Sequence, residues 1–315
     1  MSEAAITLSP MKSQPVTSGI ASPAPFLRWA GGKRRLVETL VCSFPTTFNG
    51  KKHRFYEPFL GGGALALALG DRRRPQFVDG RNLVVNDVNP DLVLAYLAIR
   101  DNVSLLMSEL DRLSPRKNRE EFERVRASKP KTDLKRAARF IYLNKTCFNG
   151  LWRVNSKGDF NVPYGKLKNP KIYDKDNLLS VSARLQSATI TNTTFSAAVE
   201  TANKGDLVYF DPPYIPLNST SSFAQYAKDG FTEMDQHALA GVIQGLTDRG
   251  VFVILSNSDT PLTRNIFGAH LTLRQVTMPR TISAQASSRG AVKEIVGVNF
   301  DVARSSSLRN LRIVS

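Results

Sequence analysis

The pattern of hydrophobic and polar positions predicts that strands and helices alternate over much of the chain. Arg54 to Pro58 is a short apolar strand that runs into consecutive glycines, and the stretches Lys33 to Val41 and Ala64 to Leu69 are typical of helices. A second apolar strand, Val84 to Asp87, ends in an acid and precedes a helix from Pro90 to about Arg100. Strand, glycine loop, helix, strand and acid in this order are typical of the first half of a nucleotide-binding α/β sheet.

Apolar segments return in the last part of the chain, after a region of different character. Residues 101–185 carry dense basic runs and then a turn-rich stretch, in which Asn155 to Asp159 is typical of a hairpin turn. The strands predicted beyond it are Ala188 to Thr191, Leu207 to Phe210, Val251 to Ser256 and Leu273 to Val276, with a last β-like segment from Val292 to Val302. The sequence therefore predicts an α/β sheet that is split by an insertion.

Composition and charge narrow the classes of partner. The chain has 315 residues, enough for two domains of ~150 residues or for one domain with an insertion. Its 43 Lys and Arg exceed its 27 Asp and Glu, which gives a net charge of +16 and an isoelectric point near 10.0. A polyanionic partner is therefore expected, nucleic acid before an anionic membrane. The hydrophobic share of 42% excludes wholesale disorder.

Cysteines and apolar runs set further limits. Cys42 and Cys147 are the only cysteines, which excludes a disulfide framework and a Cys-rich zinc site. The first 25 residues lack the apolar core of a secretory signal, and apolar runs such as Ala64 to Leu69 fall far short of the ~20 residues of a membrane helix. We expect a cytoplasmic protein that is not associated with a membrane.

The strongest chemical signal is Asp211-Pro212-Pro213-Tyr214, which directly follows the strand predicted at Leu207 to Phe210. An aspartate at the carboxyl end of a parallel strand lies where such sheets bind ligands. The two prolines stiffen the chain and lack N–H groups. A fixed carboxylate, a carbonyl and a tyrosine ring can accept hydrogen bonds from an exocyclic amino group and stack on an extrahelical base. The alternative is a proline-rich turn whose aspartate makes a local hydrogen bond.

Two glycine-containing motifs are less specific. In Glu57-Pro58-Phe59-Leu60-Gly61-Gly62-Gly63, the glycines let a cofactor approach the backbone at the start of a helix, although a tight turn explains them equally well. Asp87 is placed to accept hydrogen bonds from ribose hydroxyls or to cap the helix that follows. Trp29-Ala30-Gly31-Gly32-Lys33 offers an aromatic face and a cation, although a lone tryptophan is more often a core residue.

Taken in order, these three motifs resemble those of the Dam-type DNA adenine-N6 methyltransferases, the D12 class with the α arrangement. Leu143 to Asn155 with Phe160 to Gly165 is similar to the family's DNA-contacting β-hairpin, and Arg280 to Asn299 resembles the loop and strand that close its sheet. The resemblance runs from about Phe26 to Val302. It implies an α/β fold, namely a Rossmann-like class I methyltransferase sheet with an inserted, mostly helical target-recognition domain that carries a β-hairpin.

The resemblance also implies how the chain is divided. Residues 25–100 and 186–303 would form the S-adenosylmethionine-dependent catalytic domain, and residues 101–185 the DNA target-recognition domain. The Ser-, Pro- and Thr-rich residues 1–24 are expected to be a disordered tail, and residues 304–315 a basic C-terminal tail.

The functional positions of the family carry over to residues of this sequence. The resemblance implies S-adenosylmethionine as methyl donor and double-stranded DNA as substrate, with no metal. Asp211, Pro212 and Tyr214 are the implied catalytic residues, which hold a flipped adenine. The implied donor-binding residues are Trp29, Lys33, Glu57, Phe59, Gly61, Gly63, Asp87 and Asp211. The implied DNA contacts are Arg28, Asn149, Leu151 and Arg153, and because similar hairpins contact a GAT core, GATC or a relative such as GATATC is expected.

Other interpretations stay open at this point. An amino methyltransferase for cytosine N4 or for RNA adenine would share much of this chemistry, although serine commonly replaces the aspartate in the N4 class. A DNA-binding relative without catalysis would keep the basic insertion, although the intact motifs argue against it. The sequence predicts a monomer, and it leaves undecided whether the protein acts alone or beside a cognate restriction endonuclease.

Overall fold

The computed structural model describes residues 22–74, 76–113, 118–214, 231–278, 292–302 and 312–314. They form two compact units, each built from several segments of the chain. The first unit contains residues 22–34, Gly61–Arg81 and Asp87–Asn192, and the second contains Arg35–Leu60, Asn82–Asn86 and the residues from Thr193 onward. The functional boundaries predicted above concern roles rather than compactness, and they stay predictions. Most of both predicted tails, and Arg280 to Arg289, lie outside the described residues.

Seven strands of the β-sheet dominate the described part of the second unit. Its strands follow the order β2-β1-β4-β5-β7-β6-β8. The first four are parallel, whereas β7 pairs antiparallel with both β5 and β6. This mixed α/β sheet confirms the predicted fold class. The strands, with β3 in the first unit, are β1 Phe55–Glu57, β2 Leu83–Asn86, β3 Thr189–Thr191, β4 Leu207–Phe210, β5 Phe252–Ser258, β6 Thr272–Met278, β7 Val292–Val298 and β8 Arg312–Ile313.

Burial explains why the central strands are apolar throughout. Every residue of β1, β2 and β4 is buried, as expected for parallel strands that are covered on both faces. Leu239 and Ile243 from the second unit's longest described helix join Phe210, Val253 and Leu255 in one core cluster. Because the strands are parallel, the carboxyl ends of β1, β2 and β4 lie at the same edge of the sheet.

The helices occur where they were predicted, but some of them begin or end at different residues. The helix predicted from Lys33 begins at Val37, because residues 34–36 form turns. The helix predicted to end near Arg100 does end close to that residue, because the backbone leaves helical geometry at Asn102 (φ −142°, ψ 39°), and a second helical stretch, which was not predicted, follows to Leu113. The described helices are α1 Val37–Cys42, α2 Ala64–Ala68, α3 Pro90–Leu113, α4 Arg119–Ala127, α5 Asp133–Thr146, α6 Lys175–Leu185, α7 Phe195–Ala198, α8 Glu233–Asp248 and α9 Pro261–Phe267.

The inserted region is mostly helical and carries the predicted hairpin turn. In the first unit, α3 packs against α5 and α6, and α4 packs against α5. Asn155 N–H donates to the carbonyl of Asp159 (2.8 Å), and Val154 pairs with Phe160 as an isolated antiparallel bridge. Two short pieces, rather than regular strands, therefore form this hairpin.

Two short contacts at the chain ends were not predicted. Asn177 exchanges two hydrogen bonds with the backbone of Ala24, so the described chain is fixed ahead of the first motif. Near the other end, β8 pairs antiparallel with β6, Ile313 lying opposite Arg274. Among the described residues, no helix combines the length and the apolar character that crossing a bilayer requires.

Candidate active site

Two side chains of the first unit hold the glycine loop in place by hydrogen bonds to its backbone. Gly61 N–H donates to Oδ2 of Asp87 (2.9 Å), and the Tyr96 hydroxyl donates to the Gly61 carbonyl (3.1 Å). Gly61 and Gly63 have φ of 48° and 64°, and Gly63 is the N-cap of α2. Both glycines therefore occupy the left-handed region that other residues avoid. Tyr96 was not among the residues that the sequence singled out.

Trp29 lies directly against this loop. A Cβ atom on Gly61 would stand 2.7 Å from Cδ1 and 2.9 Å from Nε1 of the Trp29 indole, so glycine is the residue that this contact admits. The half-buried Trp29 ring lies 6.2 Å from the Phe140 ring. Lys33 is buried as well, and its Nζ donates to the carbonyl of Gly31 (2.9 Å). The first unit thus brings Trp29, Gly61 and Asp87 together.

Asp87 is a backbone anchor at the end of β2. Its Oδ1 accepts from Asn89 N–H (2.9 Å) while its Oδ2 holds the glycine loop. Burial raises the pKa of the Asp87 carboxyl, and the two N–H donors lower it in part. The capping of α3 falls instead to Asn89, whose side chain accepts from the N–H groups of Asp91 and Leu92. The role of Asp87 in binding a ribose stays a prediction.

The Asp-Pro-Pro-Tyr motif of the second unit follows β4 as predicted. Asp211 Oδ1 accepts a hydrogen bond from the Ser256 hydroxyl (2.8 Å), and Ser256 Oγ also lies 2.8 Å from the Tyr209 hydroxyl. Pro212 is buried and Pro213 is exposed. The Pro213 carbonyl accepts from Nε2 of buried Gln236 (3.4 Å). The loop is therefore held from both β5 and α8.

Acidic side chains surround the tyrosines of this site. Burial raises the pKa of Tyr214, and the carboxylates of Asp211 and Glu294 raise it further. Burial likewise raises the pKa of Tyr209, with Asp211, Glu57 and Glu294 adding to the effect. The second unit thus places Glu57, Asp211 and Tyr214 in one electrostatic environment. Both tyrosines stay protonated over the physiological pH range.

Phe59 belongs to an aromatic cluster near the carboxyl ends of the strands. Its ring stacks on Phe195 at a centroid distance of 5.5 Å and meets Phe231 edge-on, also at 5.5 Å. These three rings are partly exposed, whereas Phe210 beneath them is buried. Phe195 and Phe231 were not predicted from the sequence, because single phenylalanines in short helices or loops give no distinctive pattern.

The predicted DNA-contacting residues of the first unit are grouped by one buried asparagine. Asn144 accepts from Arg28 N–H (2.9 Å) and donates to the carbonyls of Arg28 (2.7 Å) and Gly150 (2.9 Å). A Cβ on Gly150 would come within 2.3 Å of the Arg28 Cβ. The exposed Arg28 is therefore held beside the turn that carries Asn149 and Leu151.

The rest of this surface is exposed and partly pre-oriented. Asn149 has φ of 54°, which turns the backbone sharply, and Leu151 is half-buried. The exposed Arg153 donates from Nε to Oδ1 of Asn161 (2.6 Å), which restricts the guanidinium. Phe148, which the sequence analysis did not single out, is 46% exposed next to Asn149. An exposed aromatic ring beside polar and basic groups suits contact with nucleic acid.

Comparison with known proteins identifies the family. The model of the D12 class N6 adenine-specific DNA methyltransferases matches residues 29–278. The Type II methyltransferase M1.LlaDCHI of Lactococcus lactis subsp. cremoris is 39% identical over 284 residues, covering 88% of this chain and 95% of that protein. The Type II methyltransferase M.MjaIII of Methanocaldococcus jannaschii is 38% identical over 293 residues, covering 88% and 99%.

A relative with a different name supports the same assignment. The DNA adenine methylase of Escherichia coli K12 is 31% identical over 282 residues, covering 87% of this chain and 94% of that protein. The resemblance inferred from the motifs is confirmed, because the family model spans all three of them. This chain belongs to the D12 class of N6 adenine-specific DNA methyltransferases.

Proposed function

We propose that this enzyme transfers a methyl group from S-adenosylmethionine to N6 of a flipped adenine in duplex DNA, within GATC or another GAT-containing site. The observation that carries the proposal is the Asp211 carboxylate, which is fixed at the carboxyl end of β4 by a hydrogen bond from buried Ser256. The relatives named DNA adenine methylase support the substrate class.

The proposed roles in the second unit follow from acceptor chemistry. Asp211 and the Pro212 carbonyl accept the two protons of the adenine amino group, and the Tyr214 ring stacks on the base. Accepting both protons withdraws the nitrogen lone pair from ring conjugation and stabilises the positive charge that develops on nitrogen. Because Tyr214 stays protonated at its raised pKa, its hydroxyl adds no negative charge beside Asp211.

The residues present fit a methyl donor of this class. When bound, S-adenosylmethionine supplies an electrophilic methyl group on a positively charged sulfur. In the first unit, Trp29 offers an aromatic face, Gly61 and Gly63 offer backbone without side chains, and Lys33 and Asp87 offer charge. In the second unit, the partly exposed rings of Phe59 and Phe195 suit the stacking of a purine, and Glu57 and Asp211 offer carboxylates.

Sequence readout is assigned to the first unit. Arg153 pairs with guanine O6 and N7, Asn149 contacts adenine, Leu151 contacts a thymine methyl or wedges between bases, and Arg28 contacts a flanking base. We further propose that the protein is bacterial or phage-encoded and acts on DNA as a monomer in the cytoplasm. A cognate restriction endonuclease is proposed as a partner because relatives are named Type II methyltransferases.

The test compares two aspartates at opposite ends of one strand. Asp211→Ala should lower the transfer of tritiated methyl groups to plasmid DNA by at least ~100-fold, because it removes a preorganised acceptor. Asp206→Ala at the start of β4 is the control, because Asp206 accepts from the N–H groups of Arg54 and Asn203 and is given no catalytic role. It should lower stability but keep turnover.

Two outcomes would contradict the proposal. Near wild-type turnover in Asp211→Ala would remove the acceptor role. Single-molecule sequencing of the wild-type product should place the modified adenines in a GAT context, and marks on adenines without that context would refute the target assignment.

A further inference from the structure

Ser256 of the second unit lies between the side chains of Tyr209 and Asp211 and contacts both at hydrogen-bond distance. Tyr209 on β4 and Ser256 on β5 are both buried, and the Tyr209 hydroxyl lies 2.8 Å from Ser256 Oγ. Ser256 Oγ in turn donates to Oδ1 of Asp211 (2.8 Å). The parallel register pairs Tyr209 with Ile254 and Phe210 with Leu255, so Asp211 falls beside Ser256 at the sheet edge. Regular strand pairing thus sets the spacing of all three groups.

Proton counting fixes the direction of this line. A serine hydroxyl has one proton, and an ionised carboxylate can only accept. The Ser256 proton therefore points at Asp211, and Ser256 Oγ must accept from Tyr209. Burial raises the pKa of Tyr209, which keeps its hydroxyl protonated and able to donate. The line runs from Tyr209 to Ser256 to Asp211, without a proton left over.

We propose that Tyr209 and Ser256 are positioning residues, which orient the Asp211 carboxylate and keep it an acceptor for the substrate amino group. The inference rests on the proposed function, because it assigns a task to Asp211. A hydrogen bond donated to a carboxylate favours the ionised form, and a second donor behind the first strengthens it. A protonated Asp211 would instead present a donor to the amino group.

The acidic surroundings show why such a device is needed. The carboxylates of Glu57 on β1, Glu294 on β7 and Asp211 all raise the pKa of Tyr209. Those of Asp211 and Glu294 also raise the pKa of Tyr214. Neighbouring carboxylates disfavour ionisation of one another, whereas donors favour it. In this proposal, the hydrogen bond that Ser256 donates to Asp211, with Tyr209 behind it, favours the ionised carboxylate in these acidic surroundings.

The chain offers a matched control for the tyrosine. Tyr56 on the neighbouring strand β1 is buried like Tyr209, and its hydroxyl lies 3.2 Å from Oγ1 of Thr201 rather than near the motif. Tyr56→Phe and Tyr209→Phe each remove one buried hydroxyl from the same sheet. Both should lower thermal stability to a similar extent, but Tyr209→Phe alone should affect turnover.

The experiment measures kcat, its pH profile, donor affinity and DNA affinity. Ser256→Ala should lower kcat by roughly 10- to 100-fold, the effect of losing one hydrogen bond to a charged group. Tyr209→Phe should lower it by less, because the bond from Ser256 remains. In both variants the acidic limb of the kcat profile should move to higher pH, with unchanged affinities for donor and DNA. Ser256→Thr keeps the hydroxyl and should restore activity.

A double variant tests whether Tyr209 affects kcat through Ser256 or independently of it. In the Ser256→Ala background, Tyr209→Phe should have no further effect on kcat, because its route to Asp211 is already broken. Effects that multiply would overturn the inference, and so would an equal loss of turnover in Tyr56→Phe. An inactive Asp211→Ala beside a fully active Ser256→Ala would refute this inference alone, whereas an active Asp211→Ala would refute the proposed function.

Discussion

Buried polar side chains shape both units at the scale of single residues. Asn86 donates to the carbonyls of Pro58 and Thr193 and accepts from Thr193 N–H, which joins the loops after β1 and β2 to the start of α7. Such groups must be paired because an unsatisfied buried polar atom costs about 1–3 kcal/mol. Their pairing fixes loops that glycine and proline alone would leave undetermined.

Gly61 and Gly158 together separate two costs of replacing a glycine, namely backbone strain and steric contact with a neighbouring side chain. Gly158 also has a positive φ, of 78°, but an added Cβ would meet nothing within 4 Å. Gly158→Ala should therefore cost roughly 1–2 kcal/mol of unfolding free energy from strain alone. Gly61→Ala should cost roughly 2–5 kcal/mol, because it also displaces Trp29. Urea unfolding and tryptophan fluorescence measure both effects, and equal costs with an unchanged spectrum would contradict the close contact.

Lys145 in the last turn of α5 is a predicted source of pH-dependent stability. Burial lowers the pKa of Lys145 to about 8 from 10.5, and the charge of Arg28 lowers it further. In the unfolded chain the amine keeps its proton up to higher pH, so stability should rise as pH increases from about 8 towards 10.5. Below pH 8 the cost of burying the charge is fully present, and it amounts to roughly 3 kcal/mol at most.

Replacing Lys145 isolates this contribution. Lys145→Met should raise the unfolding free energy at pH 7, and its advantage over the wild type should shrink above pH 8. Lys135→Met, at an exposed position of the same helix, serves as the control and should change little. Parallel stability curves for Lys145→Met and the wild type up to pH 10 would show that Lys145 is not the source.

At the scale of elements, one side chain joins the end of α5 to the turn Phe148–Gly150 that follows it. Asn144 lies five residues before the exposed Asn149, and it joins the backbone of Arg28 to Gly150. Neither Arg28 nor the turn belongs to a regular strand or to an α-helix. Their mutual placement therefore depends on this side chain rather than on a backbone ladder.

Two asparagines of similar chemistry test that dependence. Asn144→Ala should cost roughly 2–5 kcal/mol, because it leaves several buried backbone groups unpaired. It should also reduce discrimination between GATC duplexes and scrambled duplexes. Asn177→Ala, which likewise breaks two bonds to the N-terminal segment at Ala24, should lower stability without changing discrimination. An equal loss of discrimination in both variants would assign the effect to the N-terminal segment as a whole.

Helices and strands could be predicted from the sequence better than the side-chain hydrogen bonds that hold the loops in place. β4 and the Asp211 motif lie where expected, because an apolar strand followed by two prolines permits few alternatives. Ser256, Gln236 and Asn144 escaped notice, because a polar residue within an apolar or helical stretch looks unremarkable until its partners are placed beside it. β8 was missed because two residues are too short to form a pattern.

At the scale of the whole molecule, the net charge of +16 predicts DNA binding that depends strongly on salt. Each neutralised phosphate contributes about 0.9 to the slope of log affinity against log salt, so six to ten contacts would give a slope of about −5 to −9. Lys157, exposed in the hairpin turn, is expected to contact phosphate. Lys157→Ala should weaken all sequences alike and flatten the slope by about one unit.

Arg153→Ala should behave differently because its proposed contact is a base. It should lower discrimination at one guanine by ~1–3 kcal/mol and leave the salt slope unchanged. Fluorescence anisotropy with matched and single-mismatch duplexes at several salt concentrations measures both quantities. A flattened slope with intact discrimination would reassign Arg153 to the phosphate backbone.

The large sequence separation between the neighbouring strands β1 and β4 has a consequence for biosynthesis. Arg54, just before β1, bonds to Asp206, just before β4, across 152 residues of chain, and β1 lies between β2 and β4 in the sheet. At a synthesis rate of about 5–20 residues per second, β1 leaves the ribosome roughly 8–30 s before β4, the later of its two partner strands, exists. Its three buried residues must stay out of aggregates during that delay. Chaperone demand should therefore be set by this early strand, and ribosome-bound chains that end before β4 should remain protease-sensitive throughout the second unit.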